Sequence, residues 1–182
     1  MATELTRASD PSLEGALREL AAKQAIYELS CRYMRALDRL DGELLASVFH
    51  PDATVNYGFF KGRAAEFVDF AMRALASHHA NHHMIGQVLI EVRGEHAEGE
   101  VYFQAFHRIV EAGAESDLFI SGRYVDRYEL RDGAWKIAFR SELNDWARTE
   151  PAADGYFLAS PLGLRGARKP DDGSYQREKL ER

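Results

Sequence analysis

Apolar residues recur at three- and four-residue intervals from Leu13 to about Leu40. Leu17, Leu20, Ile26, Leu29, Tyr33 and Leu37 share one stripe, as in a helix that buries one face. Asp10-Pro11-Ser12 supplies candidate caps for its start, after a polar stretch over residues 1–11. Asp41-Gly42 interrupts the pattern, and Glu43–Phe49 reads as a short second helix stopped by His50-Pro51-Asp52. Thr54-Val55-Asn56-Tyr57 predicts a short strand. Lys61-Gly62-Arg63 then turns the chain into a third helix over roughly 64–77, with Phe67, Phe70, Ala71, Ala74 and Leu75 on its apolar side. Beyond it the period shortens to two, predicting β segments near Met84–Arg93, Glu100–Glu111, Leu118–Leu130 and Ala134–Ala147. Their connections (Arg93-Gly94-Glu95, Glu111-Ala112-Gly113, Arg131-Asp132-Gly133) are short and carry glycine, as hairpins require.

Helices first and a long antiparallel meander afterwards predict an α+β fold, with a curved sheet wrapped around the N-terminal helices. The expected organisation is a loose N-terminus over 1–12, one domain over 13–160, and a polar C-terminal tail over 161–182. That tail is expected to be ordered only by packing on a neighbour.

At 182 residues, 46% hydrophobic and 29% charged, the chain has an ordinary globular composition and enough length for a core. A net charge of −6 argues against nucleic acid or an anionic membrane as partner. The lone cysteine, Cys31, allows no internal disulfide. A basic start followed by an apolar core is missing, as is any 18-residue apolar run, so a cytoplasmic location is expected. There is no Gly-x-Gly-x-x-Gly, Walker or Gly-x-Ser-x-Gly sequence to suggest nucleotide binding or serine hydrolysis.

Chemistry concentrates in His78-His79-Ala80-Asn81-His82-His83, which holds four of the seven histidines. His83 is the one that partners elsewhere in the chain can serve: Asp38, Tyr57 and His107. Asp38 falls near the end of the first helix, where the macrodipole disfavours a carboxylate by ~0.3–1 kcal/mol, so another interaction should hold it there. The plainer reading is an exposed acid at a helix boundary. Alternation along Glu100–Glu111 puts His107 on the face of Val101, Phe103, Ala105 and Ile109. It is therefore either a core histidine or an acid–base group lining a cavity. Tyr33 lies on the helical stripe and Tyr57 closes the first strand, each readable as a core tyrosine with a wet hydroxyl. Arg140 reads as a surface strand residue, and His78, His79 and His82 as solvated or at a pocket mouth. The i,i+4 pairs His78/His82 and His79/His83 raise zinc or iron, but the segment lacks the Glu of a His-Glu-x-x-His site and runs directly into a strand. Strict alternation sets His83 against Val88, Ile90 and Val92; a bulge at Gly86 would bring all four to one face.

Taken in order, a long helix with an Asp near its end, a strand, a helix, a His and a meander ending Gly122-Arg123-Tyr124…Asp132-Gly133-Ala134-Trp135-Lys136-Ile137 resembles the SnoaL-like branch of the NTF2-like superfamily. The resemblance spans about residues 13–147 and implies a cone-shaped fold enclosing an apolar cavity. Scytalone dehydratase, hexachlorocyclohexane dehydrochlorinase and bile-acid 7α-dehydratase share that fold and use an Asp–His dyad, matched here by Asp38 and His83. Tyr33 matches a tyrosine of the bile-acid enzyme. Tyr57 and His107 match a tyrosine and the second histidine of scytalone dehydratase, and Arg140 looks like the arginine that follows Trp-Lys in the dehydrochlorinase. Leu37, Gly122 and Tyr124 depart from the scytalone dehydratase pattern.

The resemblance implies a lyase that needs no cofactor and performs a dehydratase-type elimination on a bulky cyclic or aromatic hydroxylated molecule. Asp38, His83, His107, Tyr33 and Tyr57 would be catalytic; Arg140, Tyr124 and Phe103 would bind substrate. A homo-oligomer is implied, trimer before dimer. Still open are another carbon-bond cleavage, such as deformylation of a lignin-derived diarylpropane, a ketosteroid-isomerase-like shuttle based on Asp38, and a hydrophobic-ligand binding protein without turnover.

Overall fold

The structure, a computed structural model, describes residues 12–111, 113–153 and 155–180. The polar stretch over 1–11 and Ala112 of the second hairpin connection lie outside the described residues.

Helix α1 spans Leu13–Arg39, its first turn closed by Ser12, whose hydroxyl accepts a hydrogen bond from Gly15 N at 3.0 Å. Its buried face starts at Ala22 and continues through Ile26, Leu29, Tyr33, Leu37 and Asp38. The expected stripe is therefore only half buried: Leu17 and Leu20 are 56% and 65% exposed. Helical spacing sets which residues share a face, but only the C-terminal half of that face has a sheet to meet. The helix ends where Leu40 adopts a left-handed conformation (φ 51°), and Asp41 N donates back to Ala36 O at 2.9 Å.

Helix α2 (Gly42–Ser47) is capped by Asp41, which accepts from Leu44 N at 3.1 Å. It is shorter than expected because Phe49-His50-Pro51 already belong to strand β1 (Phe49–Asn56). Lys61–Arg63, expected as a turn, forms a short edge strand, β2, before helix α3 (Ala64–Ala76). Strands β3 (Ala80–Arg93), β4 (His96–Glu111), β5 (Ala114–Arg131) and β6 (Ala134–Pro151) complete a six-stranded sheet ordered β2-β1-β6-β5-β4-β3. The meander is antiparallel as expected, whereas β1 runs parallel to β6, making the sheet mixed.

Two local features shape this sheet. The β5–β6 turn carries positive φ at both Asp132 (53°) and Gly133 (75°), the mirror-image geometry that suits the twist of the flanking strands. At Gly122 a Cβ would fall 2.2 Å from Leu143 O, so only glycine allows the close crossing where the β5–β6 register shifts. The β3–β4 register also shifts between Ile85 and Val88, across Gly86-Gln87. That extra residue is the bulge expected from the parity conflict, and it lets His83, Ile85, Val88, Ile90 and Val92 all point inward.

α1 and α3 pack against the concave face around a core that includes Ile26, Leu37, Val55, Phe67, Val101 and Ile137. The C-terminal segment packs on its own chain instead of awaiting a neighbour. Lys169 N donates to Arg39 O at 2.8 Å, Arg39 pairs with Asp172 at 2.9 Å, and both Lys169 Nζ and the Tyr175 hydroxyl reach Asp41 at 2.9 Å. Among the described residues, no helix is long and apolar enough to cross a membrane.

Candidate active site

The last buried turn of α1 delivers Asp38 against the start of β3. Its carboxylate accepts a hydrogen bond from His83 Nδ1 at 2.7 Å and a bifurcated one from the His83 backbone N–H, at 3.0 and 3.1 Å to its two oxygens. The side chains are 9% and 5% exposed, so the exposed-boundary reading of Asp38 is excluded. These bonds offset the unfavourable end of the helix dipole, and they fix the imidazole as well: with Nδ1 donating to the carboxylate, Nε2 is the basic nitrogen.

His83 and His107 lie with ring centroids 5.0 Å apart and planes at 76°. His107 is buried among the inward residues of β4, in register with Asn81 of β3. Asn81 is itself buried, its side-chain amide 3.0 Å from His107 Nδ1 and 2.8 Å from Nδ1 of His78. Burial pushes His107 down to about 3, with His83, His78 and Arg168 adding electrostatic repulsion of a proton. It is neutral at neutral pH.

Both histidines open onto a cavity of about 240 Å³ between α1, α3 and the sheet. Apolar side chains form most of its wall, among them Leu37, Phe67, Phe70, Phe103, Ala105 and Ile120. Phe59, 68% exposed, stands at its edge. The other polar end holds Tyr33, Tyr57, Tyr124 and Glu142. The Tyr33 and Tyr57 hydroxyls share a 2.6 Å hydrogen bond, and the Tyr57 ring stacks on Phe67 with centroids 4.2 Å apart. Burial pushes Tyr33 up to about 12, against the nearby Arg140 charge and the Tyr57 hydrogen bond; burial likewise raises Tyr57 and Tyr124. These phenols are hydrogen-bond donors and not bases at neutral pH.

Of the five expected catalytic residues, His83, His107, Tyr33 and Tyr57 line one cavity and Asp38 stands behind His83; Tyr124 and Phe103 also line it, with rings stacked at 4.6 Å. Arg140 is placed differently from both expectations. It is neither on the surface nor on the cavity wall; it is fully buried, paired bidentately with Asp126 at 2.8 and 2.7 Å, and sandwiched 4.2 and 4.1 Å from the rings of Tyr33 and Tyr124. A guanidinium so placed supports the tyrosines from behind. Of the remaining cluster, His78 lines the cavity, whereas His79 is exposed and bonds Glu115 at 2.5 Å, and His82 is exposed. α3 has ended before this segment, so the i,i+4 histidine pairs share no helix face. Among the described residues, no three metal-ligating side chains converge.

Two groups were not singled out from sequence. Glu142 lines the cavity, and burial raises its carboxyl while hydrogen bonds from Asn144 and Tyr124 act against that. Its parity with the inward Arg140 on β6 was the available signal. Arg168 sits behind the dyad, donating to the backbone carbonyls of Asp38 and, at 3.4 Å, of His78. Nothing in a Gly-, Pro- and Lys-rich stretch marks it.

Known proteins agree with this architecture. Similar solved structures include a hexachlorocyclohexane dehydrochlorinase (LinA) type 2, 24% identical with a TM-score of 0.67 over 76% of this chain and 94% of its own. LinA itself is 26% identical, with the same TM-score over 76% of this chain and 95% of its own. A putative scytalone dehydratase from Novosphingobium aromaticivorans DSM 12444 is 20% identical, with a TM-score of 0.67 over 86% of this chain and 97% of its own. The comparison with curated proteins returns no match. The model of the SnoaL-like domain family matches residues 18–141, and the chain belongs to that family.

Proposed function

We propose that the protein is a lyase that uses its own side chains to eliminate a leaving group, hydroxyl first among them, from a bulky cyclic or aromatic small molecule. One observation carries this reading: a buried carboxylate holds His83 by Nδ1, which leaves Nε2 as the basic nitrogen of a ring that lines an apolar cavity. Similar structures described as a dehydrochlorinase and a putative scytalone dehydratase support the same reaction class.

In this reading His83 Nε2 takes a proton from a substrate carbon, and Asp38 stabilises the imidazolium that forms. The released C–H electron pair becomes the new double bond as the adjacent C–O bond breaks. His107, neutral, hydrogen-bonds the departing oxygen without giving up a proton. The imidazolium of His83 returns its proton to that oxygen, so water leaves and the base is restored. Such acid–base catalysis contributes ~10²–10⁴-fold, and the dry wall strengthens each electrostatic contact.

The test is a panel of cyclic and aromatic β-hydroxy and β-halo carbonyl compounds, followed by absorbance of the conjugated product and by calorimetric binding. His83→Ala should abolish turnover of any substrate found while binding persists. Turnover that survives His83→Ala, or ligands that bind tightly and never react with the unmodified protein, would overturn the lyase reading.

A further inference from the structure

One orientation of the Asn81 amide pairs its oxygen with the Arg168 donors and turns its two N–H donors toward acceptors, two of which it can serve at a time. Its nitrogen then faces Nδ1 of His78 at 2.8 Å, Nδ1 of His107 at 3.0 Å and Ala80 O at 2.9 Å, while its oxygen accepts from both terminal nitrogens of Arg168, at 2.8 and 3.3 Å. Turned the other way, an amide NH₂ would face a guanidinium, donor against donor. Arg168 cannot lose its donors, so it dictates which way the amide lies.

The segment around Arg168 is itself pinned. Ala167 N donates to Asp172 at 2.8 Å, Arg39 bonds both Ala167 O and Asp172 at 2.9 Å, and Lys169 reaches Asp41 and Glu43 at 2.9 and 3.0 Å. The same guanidinium donates to the backbone carbonyl of Asp38. One side chain, outside the stretch matched by the family, therefore touches the dyad's helix and, through Asn81, the second histidine.

We propose that Arg168 is a positioning residue: acting through Asn81, it locks His107 with Nδ1 as acceptor and Nε2–H turned to the cavity. His83 is locked in the opposite sense, Nδ1–H toward Asp38 and Nε2 bare. The pair thus offers one acceptor and one donor side by side. The fitting ligand carries an acidic C–H next to an oxygen that accepts a hydrogen bond, such as a β-hydroxy or β-alkoxy carbon acid. This inference rests on the reading of Asp38–His83 as the base, but the tautomer of His107 can be read without it.

The experiment is long-range ¹H–¹⁵N correlation on histidine-labelled protein at pH 7.5, with signals assigned by omission in His83→Gln and His107→Gln. The intact protein should show His107 protonated at Nε2 and His83 at Nδ1. Arg168→Met should shift at least half of His107 to the Nδ1–H form, and Arg168→Lys, which keeps a donor, should restore it. Asn81→Asp, acceptor on both sides, should convert His107 to Nδ1–H with Arg168 intact, which covers the case of an unstable Arg168→Met. His107 already Nδ1–H in the intact protein, or unmoved in both Arg168→Met and Asn81→Asp, would overturn the proposal. His83 protonated at Nε2 would instead overturn the dyad and leave the His107 result standing.

Discussion

Two buried carboxylates serve opposite ends of the cavity. Asp38 holds the side chain and the backbone N–H of His83, the residue that lines the cavity. Asp126 holds Arg140 through two parallel bonds, takes a third from the Tyr128 hydroxyl at 2.5 Å, and is shut away with side-chain exposure of zero on both partners. The geometry of the two pairs is similar; their chemistry is not. An imidazole can take and return a proton near neutral pH, whereas a guanidinium keeps its charge under all ordinary conditions. The first pair is thus suited to moving protons, and the second to holding a fixed positive charge beneath Tyr33 and Tyr124. A strand motif that resembles a catalytic arginine can mark such a strut.

Substitutions separate the two pairs. The largest effect falls on turnover: Asp38→Asn removes the carboxylate that fixes His83, and kcat on a substrate found in the panel should fall ~10²–10⁴-fold. Arg140→Met should cost ~3–5 kcal/mol in urea unfolding, because it strands a buried carboxylate. Combining it with Asp126→Leu should recover most of that loss, since an apolar pair needs no counter-charge; a dyad treated the same way would regain no turnover.

His107 gives the next smaller effect. The native imidazole resists protonation down to about 3, while the unfolded one takes a proton below its ordinary 6.5. Between those values the unfolded chain binds more protons, so stability falls as pH drops, by at most ~1.4 kcal/mol per pH unit from this group. His107→Gln should flatten the decline in urea midpoint between pH 7.5 and 5.0. Smallest is Tyr57→Phe, which leaves the Tyr33 hydroxyl without its partner and should cost ~1 kcal/mol by the same unfolding measurement.

Legibility in the sequence followed the same physics. Period-two alternation marks His107 as inward-facing, and the clash of parity at His83 points to the bulge near Gly86. Asp38 stood out because a carboxylate at the end of a helix calls for a compensating partner. Helical spacing could not tell that Leu17 and Leu20 lack a facing sheet, because a stripe records which residues share a side and not what lies opposite. Arg140 was misplaced for a related reason: its partner Asp126 sits directly across the β5–β6 ladder, a pairing visible only once register is known. Asn81 and Arg168 were least legible, since hydrogen-bond relays between residues 87 positions apart leave no periodic trace.

The segment that folds back over the end of α1 has a practical consequence. Someone trimming this protein to the span matched by its family model would cut at residue 141 and discard the residue that braces Asn81. The trimmed domain would keep its sheet only in part, because β6 runs on to Pro151, and it would lose Glu142 from the cavity wall.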